Sequence, residues 1–178
     1  MLIHAYGLFW RRDEVPWSPG RGRSAATEVN PFSMLGHVGE IKPKLKIIDV
    51  RPMHGVYLLH NNYGPYYVGL AKGQGGLGSR LRDHTKDQHK DKWDAFSWFA
   101  FDRVLQKRLA TGLTRTKASP LSKSVLPAKL IEDVEAMLIL ALGTTERGNL
   151  NHSNMVSGDE WSQVKLRDKD YYLARAIR

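Results

Sequence analysis

Two β-prone runs joined by a short turn constrain the fold of this chain more than any other feature. Val56 to His60 and Pro65 to Leu70 flank the segment Asn61-Asn62-Tyr63-Gly64. Asparagine and glycine tolerate the left-handed backbone of tight turns, so the sequence predicts a β-hairpin here. The aromatic run from Ala95 to Phe101 predicts a third strand of the same sheet.

The remaining elements are predicted from periodicity and from turn residues. The predicted strands are Leu2 to Trp10 and Ile47 to Val50. The predicted helices are Pro31 to Gly39, Ser79 to about His89, Asp102 to Leu109, Pro127 to Leu142 and Asp168 to Ile177. The predicted loops are Arg11 to Asn30, the basic segment Thr111 to Ser124, expected to be mobile, and Asn149 to Gly158.

The composition indicates a globular protein with a polyanionic partner. Of 178 residues, 42% are hydrophobic, and 27 lysines and arginines against 18 acidic residues give a net charge of +9. Nucleic acid is the expected partner, although solvated surface charge would give the same count. No cysteine, secretion signal or membrane-spanning run is present, so we expect a cytoplasmic protein without disulfides, thiolate-bound zinc or a cysteine nucleophile.

Four side chains in and after the hairpin suit phosphodiester hydrolysis. Tyr57 and Tyr67 lie in Gly55-Val56-Tyr57 and Tyr67-Val68-Gly69, and Arg80 and His84 follow. Arg80 and His84 are four residues apart, which places both on one helix face, where they can meet a single phosphate. Strand tyrosines also serve simply to pack a sheet, and the Arg80–His84 face would otherwise be a solvated one.

Glu135 interrupts an apolar helix stripe. Ile131, Leu138 and Leu142 lie at spacings of four, three and seven residues from it, so the stripe predicts a carboxylate facing the core. Such a group is stabilised by a cation, a metal ion or protonation. The alternative is a buried salt bridge, or a rotated helix that exposes Glu135.

In order along the chain, these pieces resemble the GIY-YIG nuclease family. The resemblance spans about residues 54 to 151 and ends at Asn149 or Asn151, and valine replaces isoleucine in both triplets. It implies an α+β fold with a small, mainly antiparallel, three-stranded central sheet flanked by helices, preceded here by an N-terminal extension. It also implies that Tyr57 is the general base and that Glu135 holds Mg²⁺ or Mn²⁺.

The resemblance gives the other site residues supporting roles. Arg80 would stabilise phosphate charge, Tyr67 and His84 would position water or relay protons, and Asn149 or Asn151 would organise the site. The expected organisation is an extension over residues 1–50, a catalytic module over residues 51–155 and a packed tail over residues 156–178. The expected activity is metal-dependent endonucleolytic cleavage of nucleic acid, with DNA as the expected substrate. The alternative is a non-catalytic nucleic-acid-binding module.

Basic residues of the extension and of the module's loops are the expected nucleic-acid contacts, with packing and solvation as the competing explanation. They are Arg11, Arg12, Arg21, Arg23, Lys72, Arg115 and Lys117. Two further patterns carry less weight. Gly73 to Gly78 matches a dinucleotide-binding fingerprint without the βα units that should follow. His84 and His89 with Asp83 or Asp87 could bind a metal, but their spacing fits no standard zinc helix.

Overall fold

The computed structural model describes residues 3–17, 32–40, 44–118 and 158–177, together with Met137 and Leu142. Ten strands and two α-helices lie in these ranges. The strands are β1 (Ala5–Arg11), β2 (Leu35–Val38), β3 (Lys46–Asp49), β4 (Gly55–Asn61), β5 (Gly64–Ala71), β6 (Ala95–Ala100), β7 (Arg103–Arg108), β8 (Thr114–Lys117), β9 (Asp159–Glu160) and β10 (Ser162–Gln163). The helices are α1 (Gly76–Asp83) and α2 (Lys169–Ile177), with 3-10 turns at Arg12–Glu14 and Leu166–Asp168.

The predicted hairpin is confirmed at the edge of a five-stranded sheet with the order β5-β4-β6-β1-β9. β4 pairs antiparallel with β5 on one side and with β6 on the other. β1 continues the sheet antiparallel to β6, and the short β9 joins β1 in parallel. The hairpin therefore belongs to a wide sheet that brings residues from both ends of the chain together.

The prediction of a three-stranded sheet flanked by helices is wrong. The four continuous described ranges form three sheets, of five, three and two strands, and two α-helices, so this part of the chain is mostly β. The predicted N-terminal extension is in part the sheet strand β1. All six residues of β6 are buried, and β1 satisfies the backbone groups on the side of β6 that β4 leaves open.

Two predicted helices are strands, and one predicted loop contains a strand. Leu35–Val38 pairs with both β3 and β10 in the three-stranded sheet, and Arg103–Arg108 pairs with β8 in the two-stranded sheet. β8 lies inside the segment predicted as a mobile basic loop. Pairing with other strands, distant in the sequence for β2 and adjacent for β7, overrides weak local helix propensity at these sites.

The core on one face of the main sheet is rich in aromatic side chains. Trp10, Trp98 and Phe96 make edge-to-face contacts there, with ring centroids 5.2 to 6.0 Å apart, and Trp161 is buried in the same cluster. The opposite face carries a smaller cluster around Phe99, against which Met137 packs. A third cluster holds α2 against the three-stranded sheet through Leu173 and Ala176.

Helix α1 is fixed against the sheet by the segment that precedes β4. The backbone N–H of Leu77 donates to the Met53 carbonyl, and that of Gly78 donates to the Arg51 carbonyl. Leu77 and Leu81 are fully buried. The last turn of α1 is thereby held beside the hairpin.

The helix predicted to reach His89 ends at Asp83 and is followed by turns. The Thr85 hydroxyl donates to the Arg82 carbonyl, and the Asp87 carboxylate accepts the His89 backbone N–H. Side chains that bond to nearby backbone groups in this way compete with the helical hydrogen bonds. The consequence is a compact loop over residues 84–92 in place of two more helical turns.

Of the predicted helix Pro127 to Leu142, only Met137 and Leu142 fall among the described residues, and both are helical. Leu142, which the stripe placed toward the core, is exposed. Within the described ranges, neither helix has the length and apolar character that a bilayer crossing requires. The division of the chain into an extension, a catalytic module and a tail, with boundaries at residues 50 and 155, stays a prediction.

Candidate active site

Tyr57 lies in β4 with its side chain on the face of the sheet that α1 covers. Its partner across the hairpin is Gly69, and a Cβ atom at that position would overlap the Tyr57 ring and hydroxyl. Gly55 has a comparable restriction, since a Cβ atom there would overlap the Phe99 carbonyl. The glycines of the two triplets are therefore explained by close packing, and Gly69 provides the space that the Tyr57 ring occupies.

A chain of hydrogen bonds runs from Tyr57 through His84 to Asp87. The Tyr57 hydroxyl lies 2.8 Å from His84 Nε2, and His84 Nδ1 lies 2.7 Å from Asp87 Oδ2. An ionised carboxylate only accepts hydrogen bonds, so His84 Nδ1 carries the proton that is donated to Asp87. His84 Nε2 is then the acceptor in neutral imidazole, and the Tyr57 hydroxyl donates to it.

The His84 ring is held on several sides. Its side chain is 4% exposed, its backbone carbonyl accepts the Trp93 indole N–H at 3.2 Å, and its ring packs edge-on against Tyr67 at 5.1 Å. The imidazole is therefore fixed in one orientation toward Tyr57. Fixed orientation is what a proton acceptor in a catalytic site requires.

The electrostatic environment keeps Tyr57 protonated at neutral pH. Burial, with a smaller effect from Tyr67, raises the pKa of Tyr57 to about 12, although the neighbouring Arg80 guanidinium acts to lower it. Burial also raises the pKa of the Asp87 carboxyl, but hydrogen bonds from the His89 N–H and from His84 outweigh it and hold that pKa below its ordinary value. The chain thus has an ionised carboxylate at one end and a phenol at the other.

Arg80 and His84 are brought together as predicted. Arg80 lies in the last turn of α1 and is exposed, and its guanidinium is close enough to the Tyr57 hydroxyl to influence its ionisation. His84 caps the same helix, with its backbone N–H on the Arg80 carbonyl. One cation and one imidazole therefore face the same phenol.

Tyr67, the second predicted tyrosine, packs against the neighbouring rings and also makes a side-chain hydrogen bond with Tyr57. Its ring centroid is 6.3 Å from that of Tyr57 and 4.6 Å from that of His89. The neighbouring Tyr66 places its hydroxyl 3.0 Å from His89 Nδ1. Tyr67 thus packs against the imidazoles of both His84 and His89, and Tyr66 packs against that of His89.

The roles of Asp87 and Tyr66 were missed from the sequence, and His89 was considered only as a metal ligand. His84 and Asp87 are three residues apart, a spacing that permits a contact on a helix as well as in the observed turn. The available signal was the Asp87-Gln88-His89 spacing, in which a side-chain carboxylate can accept an N–H two residues later.

The predicted nucleic-acid contacts fall into different environments. Arg12 donates to the Trp93 carbonyl at 3.2 Å, and its guanidinium lies over the Trp93 ring, so its contacts are structural. The exposed side chains are those of Arg11, Lys72, Arg115 and Lys117. The predicted residues outside the described ranges are Arg21, Arg23, Glu135, Asn149 and Asn151.

A basic cleft lies on the other side of α1. It has a volume of about 550 Å³, and its lining includes Arg51, Arg82 and Lys86 as well as Asp49. Arg51 and Arg82 lie over the Phe32 ring, 5.3 and 5.2 Å from its centroid, and Arg51 also forms an ion pair with Asp49. The three cations outnumber the two carboxylates of the lining, Asp49 and Asp83, so the cleft has a small net positive charge. Such a charge is compatible with a nearby phosphate backbone.

The described residues on the two sides of His84 differ in how well they suit a metal ion. Around the Tyr57 hydroxyl stand an imidazole and a guanidinium, which do not form the oxygen-rich set that Mg²⁺ prefers. His84, Asp87 and His89 together could hold an ion.

Comparison with models of known families, with curated proteins and with solved structures gives no match for this chain. Its chemistry must therefore be argued from the geometry of its own residues.

Proposed function

We propose that this chain is a nuclease that hydrolyses phosphodiester bonds, with DNA as its substrate. The observation that supports this most directly is the hydrogen-bonded chain from Asp87 through His84 to Tyr57, with the Arg80 guanidinium beside the phenol. The resemblance of the two triplets, Arg80 and His84 to the GIY-YIG family points the same way. A buried tyrosine hydroxyl needs a hydrogen-bond partner in any case, but packing alone requires neither an imidazole oriented by a carboxylate nor an adjacent cation.

The proton path follows from the hydrogen bonds. Tyr57, with its pKa at about 12, is too weak an acid to give a useful phenolate population at neutral pH. His84 Nε2 can take the hydroxyl proton as the phenol oxygen takes a proton from the attacking water. Asp87 stabilises the resulting imidazolium through its bond to Nδ1. Tyr57 and His84 then act as one general base.

Arg80 has two functions in this scheme. Its planar donor group suits the non-bridging oxygens of a phosphodiester, on which charge builds up during attack. Tyr57 is 0% exposed, so water reaches its hydroxyl only after a neighbour moves. The exposed Arg80 side chain is the neighbour free to do so, and a phosphate that draws it outward would uncover the phenol at the moment of binding.

A hard divalent cation, Mg²⁺ or Mn²⁺ held by Glu135, remains part of the proposal on the strength of the family resemblance. Such an ion would supply Lewis-acid stabilisation of phosphate charge. The described donors around Tyr57 do not form a Mg²⁺ site by themselves, so no step above depends on the ion. The net charge of +9 supports a DNA partner, and the absence of cysteine is compatible with a cytoplasmic location.

Cleavage of plasmid DNA by matched tyrosine variants tests this function. Tyr57→Phe should lower the cleavage rate by about 10²-fold or more, because general-base catalysis contributes that much. Tyr63→Phe is the control, since Tyr63 is 99% exposed at the hairpin turn and should cleave like the parent. Equal rates for parent and Tyr57→Phe would contradict the proposed base.

Three further measurements separate the alternatives. DNA binding by Tyr57→Phe should match the parent, which assigns the lost rate to chemistry. EDTA, and Glu135→Gln with added Mg²⁺, should each abolish cleavage; metal-dependent activity in that variant would contradict the role of Glu135. A parent protein that binds DNA but cleaves nothing with Mg²⁺ or Mn²⁺ would be a binding module.

A further inference from the structure

Three metal-binding side chains meet on the side of His84 that faces away from Tyr57. One donor atom each from His84, Asp87 and His89 lies within 4.8 Å of the other two. The ring centroids of the two histidines are 4.8 Å apart with their planes nearly perpendicular. No other group of three such side chains is found in the part of the chain that the structure describes.

We propose that His84, Asp87 and His89 bind a divalent transition-metal ion of the Zn²⁺ type. Two imidazole nitrogens and one carboxylate oxygen are the ligands preferred by Zn²⁺, Co²⁺ and Ni²⁺, whereas Mg²⁺ prefers oxygen alone. Three protein ligands leave a further position for water. The site differs in residues and in metal type from the Glu135 site of the nuclease proposal, and its test needs no nucleic acid.

The second nitrogen of each imidazole is already oriented by a tyrosine. His84 Nε2 lies 2.8 Å from the Tyr57 hydroxyl, and His89 Nδ1 lies 3.0 Å from the Tyr66 hydroxyl. Metal-binding histidines usually have such a partner on the ring nitrogen opposite the metal. For His89 the other nitrogen, Nε2, makes only a 3.5 Å contact with the Gln88 amide, so a metal there would leave the Tyr66 bond intact.

Metal binding requires a small local change at Asp87. Its Oδ2 atom is 2.7 Å from His84 Nδ1, whereas two ligands of a tetrahedral ion with bonds of about 2.0 Å lie roughly 3.3 Å apart. The ion would replace this hydrogen bond and push the carboxylate outward. The Asp87 side chain is 38% exposed, so it has room to move and gives the ion a path from solvent.

Occupancy would also reverse the hydrogen bond between His84 and Tyr57. A neutral imidazole that binds metal through Nδ1 carries its proton on Nε2, which then donates to the Tyr57 oxygen. His84 cannot accept the Tyr57 proton in that state. The metal-bound form and the proposed proton relay are therefore mutually exclusive states of the same imidazole.

Calorimetric titration of the full chain with Zn²⁺ tests the site. The parent, treated with EDTA and without an affinity tag, should bind one Zn²⁺ with this set of ligands, and His89→Ala should weaken that binding at least tenfold. The control is His54→Ala. His54 makes a similar 2.9 Å contact with Asp102 but belongs to no group of three, so its removal should leave the affinity unchanged.

Two results would overturn the proposal: a parent that binds no Zn²⁺, or a His89→Ala variant with parental affinity. Circular dichroism establishes whether His89→Ala is folded. If it is not, X-ray absorption on the zinc-loaded parent decides. A first shell with two imidazole nitrogens supports the site, and one without imidazole contradicts it.

Discussion

The Asp87 carboxylate organises the candidate site because two donors converge on it. Its Oδ2 atom is 2.7 Å from His84 Nδ1, and its Oδ1 atom accepts the His89 backbone N–H at 2.8 Å. The carboxylate thereby selects the His84 tautomer in which Nε2 is free to accept a proton. In the proposed reaction, Asp87 would act through His84, as a positioning residue.

Asp87→Asn is the prediction that isolates this effect. The side-chain amide can donate to Nδ1, which favours the opposite tautomer, and it removes the charge that stabilises an imidazolium. We expect kcat for DNA cleavage to fall by about 10²–10⁴-fold while DNA affinity changes little. Asp83→Asn, which removes an exposed carboxylate from the end of α1, is the control and should retain parental kcat. An unchanged rate in Asp87→Asn would show that the tautomer does not matter.

A second buried histidine should make stability depend on pH. His60 Nε2 lies 2.9 Å from the Ser97 hydroxyl oxygen, and the His60 ring packs in a tilted arrangement against Phe9, with ring centroids 4.8 Å apart. Burial lowers the pKa of His60 below its ordinary value of 6.5, although Asp94 acts in the opposite direction. The folded state therefore favours the neutral ring, and the unfolded chain binds the proton more readily.

The sign of the pH effect follows directly. The contribution of neutral His60 to stability is fully present above about pH 6.5, the unfolded pKa, and is lost as pH falls toward the lower folded pKa. Its slope is at most about 1.4 kcal/mol per pH unit. Urea unfolding between pH 8 and pH 5 measures it, with His60→Gln as the reference. The parent should lose more stability on acidification than the variant, and parallel curves would contradict the assignment.

At the scale of the elements, the residues within a segment were sufficient to predict some helices and strands and insufficient to predict others. The hairpin was predictable because its turn residues lie within it, as do the strands it joins. β2 and β7 were mistaken for helices because neither carries a strong pattern of its own. β2 is stabilised by β10, more than a hundred residues later in the sequence.

The candidate site was likewise predictable only in part. Tyr57, Arg80 and His84 were predicted and do come together, since a strand and a helix turn fix them. Asp87 was considered only as a metal ligand, although its spacing of three residues from His84 permits a contact between the two side chains. The residue at which α1 ends is set by side-chain bonds to the backbone at Thr85 and Asp87, which periodicity does not reveal.

The pairing of the two hairpin strands leads to a prediction about Gly69. Gly69→Ala would place a methyl group against the Tyr57 ring and hydroxyl, and overpacking of this kind costs about 1–3 kcal/mol. The free energy of unfolding should fall by that amount, and cleavage should fall with it as Tyr57 is displaced. Gly73→Ala is the control, because a Cβ atom there meets nothing within 4 Å. Equal stability of the two variants would contradict the close packing.

At the scale of the whole molecule, the main sheet depends on the N-terminal strand. β1 stands between β6 and β9, and its Trp10 side chain is 2% exposed in the central aromatic cluster. Without β1, the backbone of β6 would lose one of its two partner strands, and the rings of Trp98 and Phe96 would lose their contacts with Trp10. The module that the family resemblance delimits therefore lacks part of its own core.

We expect the fragment of residues 51–155 not to fold alone. Near-ultraviolet circular dichroism should show weak aromatic signals, and thermal unfolding should lack the cooperative transition of the full chain. Addition of a peptide covering residues 1–17 is the control for the loss of β1 in particular, and we expect partial recovery of signal. A fragment that unfolds as cooperatively as the full chain would show that β1 is dispensable.

Trp161 connects the end of the chain to this core. It lies between β9 and β10, its backbone N–H donates to the Tyr6 carbonyl at 2.7 Å, and its own carbonyl accepts the Trp10 indole N–H at 3.0 Å. During synthesis the ribosome must release residue 161 before β1 gains its second neighbour. A growing chain thus carries an incomplete sheet until β9 has emerged, long after the residues around Tyr57 have been made.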